Sequence, residues 1–267
     1  MHVVAVLALH GVVPFDLAIP CEVFGRAFRP GANAAYEVRV CGEAGTVRSG
    51  HFDLRAPWRL GSLADATTVI VPGIADVSVP VPDGVIAALR TAAERGARIA
   101  SICSGAFVLA AAGLLDGLRA TTHWRAAPAL AARYPRVRVD ANVLFVDHGR
   151  ILTSAGAAAG LDLCLHMLRQ DHGAAAAAEA ARLAVVPLER HGGQSQFITH
   201  PPPSSSARTD SVVFRPLVTG FGSAFACCTI TGGEFGGRFT VTVTLLITLR
   251  PPRSAPTPMM AAITFNG

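Results

Sequence analysis

The chain has 267 residues, 51% of them hydrophobic and 15% charged, a balance that supplies a sizeable buried core and excludes global disorder. Its formal charge of +5 includes no lysine and is thinly spread: 18 Arg face 16 acids over residues 1–206, and 5 Arg face 2 acids beyond. A nucleic-acid footprint needs clustered positive charge, and none occurs, so charge alone does not point to DNA.

The first apolar run, Val3–Leu9, is short and rich in β-branched residues, as suits a central strand of a parallel sheet. A turn at 11–14 leads into Leu17–Phe28, whose apolar spacing predicts a helix. Further strands are expected at Tyr36–Cys41, Thr68–Val71, Arg98–Ile102, Val143–Val146 and Ile151–Thr153. Helices are expected at Asp83–Arg95, Ser104–Ala112, Ala126–Arg133, Ala157–Arg169 and Ala174–Leu183. Strands alternating with such helices build crossover units, so the predicted fold is a doubly wound, flavodoxin-like α/β sheet, mostly parallel, with helices on both faces. Ligands of such sheets bind beyond the carboxyl ends of the strands.

Two segments invite a membrane reading. The start, Met1 to Cys21, ends in Leu-Ala-Ile-Pro-Cys, but it lacks a cationic leader, carries Asp16 and has Pro20 before the cysteine. The uncharged run Ile99–Leu115 is broken by a Cys-Ser-Gly turn into a short strand and a short helix, which reads as buried core. The six cysteines (Cys21, Cys41, Cys103, Cys164, Cys227 and Cys228) show neither metal-ligand spacing nor a disulfide framework. A reduced, cytoplasmic protein without metal, cofactor or membrane partner is expected.

The texture changes near residue 200. Pro201–Pro203 and Ser204–Ser206 look like a linker, which divides the chain into a domain over 1–200 and an irregular tail over 201–267. The tail holds six of the 13 Phe, no histidine, and a strand-like Thr/Val alternation at Thr240–Thr248. One or two strands do not make an independent domain.

The strongest local signal is Ala-Ser-Ile-Cys-Ser-Gly at 100–105, between a predicted strand and a predicted helix. A cysteine on such an elbow is lifted above the sheet edge, and the amides that follow can stabilise a thiolate or an oxyanion. A small, well-packed structural cysteine fits the same spacing. His123, in Ala-Thr-Thr-His-Trp, can reach the thiol from an adjacent loop, or merely cap and stack beside Trp124. Asp16 follows the first strand and can face Cys103 or a ligand, or cap the helix before Leu17.

The ordered series Phe15-Asp16-Leu17, Val71-Pro72-Gly73, Ser101–Gly105, Ala111–Leu115, Thr121–Trp124 and Thr153–Gly156 resembles the DJ-1/PfpI superfamily, of the class I glutamine amidotransferase-like fold. A finer resemblance runs through Asp147 to Gly149, Ala159-Gly160-Leu161-Asp162, Arg169 to Gly173, Ala181-Arg182 and Val186-Pro187 to Gly192-Gly193-Gln194-Ser195-Gln196-Phe197. It is similar to the amino-terminal sensor half of AraC-type transcriptional regulators. The resemblance implies an effector site at Asp16, Cys103 and His123, with Gly73, Ser104 and Thr122 as ligand-binding positions, and a homodimer.

In that subgroup the Gly-Gly-Gln-x-Gln-aromatic run leads into two helix-turn-helix motifs, which need roughly a hundred mostly helical residues. Only 60 residues follow Ala207, without helical pattern, so the DNA-binding region is expected to be missing and DNA binding to depend on it. A shifted reading frame or a truncation near residue 205 would explain the change. Isocyanide hydratases of the same superfamily share the Asp-Leu pair, the elbow cysteine and Thr-Thr-His-Trp. By that resemblance Cys103 would attack the substrate carbon, Asp16 would handle the proton, and amides near Ser104 would hold developing charge. A protease or deglycase using Cys103 with His123 is a third reading. Ile74, where many enzymes of the superfamily carry another Gly, narrows the mouth and argues against an enzyme-like oxyanion arrangement.

Overall fold

The computed structural model describes residues 2–27, 34–43, 45–187 and 190–196, together with the backbone of 210–212, 225–235 and 238–248. In chain order the elements are β1 (His2–Ala8), α1 (Pro14–Gly25), β2 (Tyr36–Gly42), β3 (Thr46–Arg48), β4 (Asp53–Arg55), β5 (Trp58–Arg59), β6 (Thr68–Val71), α2 (Asp83–Glu94) and β7 (Arg98–Ile102). There follow α3 (Gly105–Ala111), β8 (Arg119–Ala120), α4 (Ala127–Arg133), β9 (Arg138–Val139), β10 (Phe145–Asp147), β11 (Ile151–Ser154) and α5 (Ala158–Leu183). The chain divides into two compact units, Met1–Ile198 and Thr199–Gly267.

The first unit is built on a seven-stranded sheet in the order β10-β11-β7-β6-β1-β2-β5. Every neighbouring pair is parallel except β10 with β11, which closes one edge antiparallel. The alternation of side chains along a strand divides the core in two. Val3, Ala5, Leu7, Val69, Val71 and Ile99 join Val85 and Leu89 of α2 and Phe107 and Leu109 of α3 on one face. Val4, Val6, Ile70, Ala100, Ile102 and Leu152 meet Ile19, Val23 and Phe24 of α1 and Leu163, Met167 and Leu168 of α5 on the other. Burial on both faces is why the central strands read as unbroken apolar runs. Each fully buried Leu, Ile or Phe contributes on the order of 1.5–3 kcal/mol. The run Ile99–Leu115 is core, as its interrupted pattern implies: Ile102, Val108, Leu109 and Leu115 are all fully buried. Among the described residues no helix is long and apolar enough to cross a membrane.

Several boundaries differ from the sequence expectation for identifiable reasons. Helix α1 begins at Pro14 rather than Leu17, because proline at the first helical position costs no hydrogen bond and presets φ. Strand β10 starts at Phe145 rather than Val143: Leu144 is fully buried but gives its amide to Gly192 O at 2.6 Å instead of to a sheet neighbour. Gly173, with φ 84° and ψ 173°, interrupts α5 and separates the two helices expected on either side of it. The two- and three-residue strands β3, β4, β5, β8 and β9 were too short for periodicity to mark them.

In the second unit, β12 (Asp210–Val212), β13 (Phe225–Phe235) and β14 (Arg238–Thr248) form a three-stranded antiparallel sheet in that order. The Thr/Val alternation at 240–248 lies within β14; its partner β13, masked in the sequence by Cys227, Cys228 and two glycines, is an additional strand. The rest of 197–267, and with it the expected linker at 201–206 and most of the expected irregular tail, lies outside the described residues.

Candidate functional site

Cys103 stands between β7 and α3 with φ at +57°, a left-handed conformation that costs a non-glycine residue roughly 1–2 kcal/mol. The surroundings enforce it. Its amide donates to Ser154 O at 3.0 Å, extending the β7–β11 pairing one residue into the turn. Its carbonyl accepts Thr122 Oγ1 at 2.8 Å. Two glycines leave room for it. A Cβ on Gly156 would fall 2.2 Å from the Cys103 Cβ and 2.7 Å from its Cα. A Cβ on Gly73 would fall 2.4 Å from Asp16 Oδ2 and 3.1 Å from the Cys103 Cβ. Gly73 therefore contributes an absence of side chain that lets the carboxyl approach the thiol.

Asp16 sits in the first turn of α1 but does not cap it: the cap residue is Val13, which makes no side-chain bond. Instead Asp16 is 2% exposed, and its Oδ1 accepts the amide of Ala157 across the sheet edge at 3.1 Å. Oδ2 is buried and meets no donor in hydrogen-bond geometry. Burial raises the carboxyl above its ordinary pKa, although the Ala157 amide, the neighbouring thiol and the Gly73 amide oppose the shift.

The thiol is also pushed the wrong way for a nucleophile. Burial first, and then the Asp16 charge, raise Cys103 to about 12; the Ser104 amide and hydroxyl oppose this and lose. The expectation that the start of α3 favours a thiolate is thus outweighed, since desolvation and a like charge together exceed one turn of aligned amides. Cys21 and Cys41 are each raised to about 11 by burial, so the elbow does not acidify Cys103 relative to them. All four described cysteines carry free thiols.

Ser104 is the second residue whose role the local sequence hides. Its Oγ accepts the amide of Ile74 at 2.8 Å and donates to the carbonyl of Ile74 at 2.7 Å. The loop after β6 is thereby clipped to the elbow, and the Ile74 amide, which points to this edge of the sheet, is already occupied. The Ile74 side chain is partly buried and packs on the core under that loop.

His123 lies on the same side of the fold but shares no hydrogen bond with Cys103. Its Nδ1 accepts the Arg125 amide at 3.3 Å and its ring stacks on Trp124 with centroids 5.7 Å apart. Its charge lowers the Asp16 pKa weakly, after burial and three nearer groups. Of the six residues singled out from sequence, Asp16, Gly73, Cys103, Ser104 and Thr122 lie together at the elbow, while His123 stands at the margin. Ala157, which holds Asp16, and Gln196, which holds Thr122, carry no side-chain signal that periodicity could have revealed. Among the described residues no group of three His, Cys, Asp or Glu could hold a metal ion.

The model of the DJ-1/PfpI family matches residues 2–170. The chain belongs to the DJ-1/PfpI family. Its relatives include a Streptomyces lividans protein described as an uncharacterized protein in the cpoL 5' region, 42% identical over 137 residues, covering 50% of this chain and 96% of that one. The HTH-type transcriptional regulator GbdR of Pseudomonas aeruginosa is 36% identical over 85 residues, 32% of this chain and 23% of the regulator. The isonitrile hydratase of Pseudomonas putida is 36% identical over 106 residues, 38% of this chain and 44% of the enzyme. The match thus spans less than half the length of either the regulator or the hydratase. Among solved structures, an AraC family transcriptional regulator from Pseudomonas putida superposes with a TM-score of 0.61 at 19% identity, over 69% of this chain and 100% of that one. The DJ-1/PfpI fold is therefore common to relatives with regulatory and with hydratase names.

Proposed function

We propose that residues 1–198 are the small-molecule-sensing domain of an AraC-like transcriptional regulator, with the effector held at the sheet edge formed by Asp16, Gly73, Cys103, Ser104 and Thr122. The observation that carries this reading is the Ser104–Ile74 clip, which spends an edge amide inside the fold instead of leaving it for an oxyanion. The upward shift of the Cys103 thiol adds to it, since burial and the Asp16 charge both disfavour the thiolate that a nucleophile needs. A binding site needs shape and a few placed polar groups, and it needs neither of those catalytic resources. The relatedness to HTH-type regulators supports the same reading. Dimerisation and cytoplasmic residence belong to the proposal with it, and DNA contact would run through the helix-turn-helix region of such a regulator, not through this domain.

A cysteine-dependent hydratase is the second reading, favoured by the isonitrile hydratase relationship. In that reaction Cys103 Sγ would add to the isonitrile carbon, a proton would reach that carbon from Asp16, and water would release the N-substituted formamide and regenerate the thiol. The two readings separate in one experiment. The chain is screened against small metabolites by thermal shift, and an alkyl isonitrile is followed for conversion with wild type and Cys103→Ala. Sensing predicts a metabolite that raises the unfolding temperature, a saturating ligand at 100 times its Kd adding about 2.7 kcal/mol, and no conversion above the Cys103→Ala background. Cys103-dependent formamide production would overturn it.

A further inference from the structure

Sensing requires that occupancy at the elbow be felt elsewhere in the chain, and residues 190–196 offer the physical means. This strap is largely exposed at His191, Gly193, Gln194 and Ser195, and it borders a cavity of about 240 Å³ that it shares with Phe145, Leu165 and His166. It is fastened by three polar clips. Arg190 forks onto Asp162 of α5 at 3.1 and 2.5 Å. The Gly192 carbonyl accepts the amides of Leu144 and Phe145 at 2.6 and 3.2 Å. Gln196 uses its whole side-chain amide: Oε1 accepts the Trp124 amide at 2.9 Å, and Nε2 donates to Thr121 Oγ1 at 3.1 Å and to the Thr122 carbonyl at 3.0 Å.

Two of these clips lie one step from the elbow. Thr122, whose carbonyl Gln196 holds, donates its own hydroxyl to the Cys103 carbonyl. Leu144, whose amide Gly192 holds, accepts at its carbonyl the amide of Ala155, and Ala155 precedes the Gly156 that faces Cys103. The last described residue of the strap, Gln196, is two residues from the end of the first unit.

We propose that Gln196 is the coupling residue of the site: it clasps the Thr121–Trp124 loop, so that displacement of the Cys103–Thr122 contact by a ligand loosens the strap at 190–196. The inference rests on the sensing reading for its purpose, while the clasp itself is testable without any effector. A coupling of this kind is reciprocal, so weakening the clasp must change the elbow as much as occupying the elbow changes the clasp.

The test uses the full chain and iodoacetamide as the probe. Cys103 alkylation at pH 8.5 is followed by peptide mapping in wild type, Gln196→Ala, Gln196→Glu and the exposed control Gln194→Ala, with Cys21 as internal reference. Gln196→Glu keeps the size and one acceptor but loses both donated bonds, which guards against a loss of fold in the alanine variant. Both Gln196 variants are expected to speed Cys103 alkylation roughly fivefold or more, with Cys21 and Gln194→Ala unchanged. Conversely, wild type carboxamidomethylated at Cys103 should exchange backbone amide hydrogens faster over 192–196 than Cys103→Ser treated identically. Unchanged alkylation in both variants, or unchanged exchange in the strap, overturns the coupling role. Isonitrile conversion would overturn the sensing reading while leaving these two measurements standing.

Discussion

Asp16 and Ala157 are 141 residues apart in sequence, and the 3.1 Å bond between the Asp16 carboxyl and the Ala157 amide joins the first turn of α1 to the turn that opens α5. That bond uses one carboxyl oxygen, and the buried Oδ2 faces the Gly73 amide and the Cys103 thiol without a hydrogen bond of good geometry. Burial of the carboxyl opposes its ionisation.

The first prediction concerns that opposition. Burial raises the Asp16 pKa in the folded state above its ordinary value. Its contribution to stability is thus complete below that ordinary value and is lost as pH rises through the folded one. Asp16→Asn removes the charge and keeps an acceptor for Ala157. It should stabilise the protein at pH 7, where the raised pKa makes the charge costly, and have much less effect at pH 4. Urea titrations at the two pH values measure this; equal effects at both would refute it.

Cysteine reactivity should follow burial and charge more than position on the elbow. At pH 7.5 Cys103 is expected to alkylate no faster than Cys21, because burial raises both thiols and Cys103 also faces the Asp16 charge. Asp16→Asn should accelerate Cys103 several-fold, since the carboxylate is the second cause of its high pKa. Timed labelling with peptide mapping decides both points, and fast labelling of wild-type Cys103 would mean that the thiolate is better solvated than its burial implies.

Ser104→Ala should leave both the amide and the carbonyl of Ile74 without their present partner. Stranding buried backbone groups costs about 1–3 kcal/mol. The expected outcome is a lowered urea midpoint with an unchanged m-value, which signifies lost stability without a change of compactness. A neutral substitution would show that water replaces the hydroxyl, and would reopen the Ile74 amide as an oxyanion donor.

At the opposite end of the strands, Asp171 of α5 receives a two-pronged bond from Arg98 at 3.0 and 2.6 Å and the Tyr36 hydroxyl at 2.8 Å. Burial pushes this carboxyl up, but Arg98 and Tyr36 together carry it below its ordinary value. Its stabilisation is present above the ordinary carboxylate range and is lost as pH falls through the depressed value. Asp171→Asn should therefore cost about 1.5–3 kcal/mol at pH 7, as loss of a hydrogen bond to a charged group in a half-buried pair does, and its penalty should shrink once the pH falls below the ordinary carboxylate range. Denaturation followed across pH 2–8 is the check.

What the sequence determined by itself was the frame. His2–Ala8, Thr68–Val71 and Arg98–Ile102 are strands buried on both faces, and short β-branched runs bounded by turns admit little else. The Ile-Cys-Ser-Gly step between such a strand and a helix set Cys103 at the sheet edge, and the ordered motifs around it led to the family. Only the tertiary structure decided what each group meets there. Asp16 could cap a helix or face the thiol; it reaches Ala157 because α1 starts three residues earlier than its apolar spacing suggests. His123 could reach Cys103 or stack on Trp124, and its bonds are to its own loop. Ser104 meets Ile74, and Gln196 meets Thr122, across 30 and 74 residues. Periodicity encodes which face of an element is buried, a property of neighbours three or four residues apart. The partner of a polar group and the direction of its pKa depend on what the folded chain brings within a few ångströms, and no local pattern carries that.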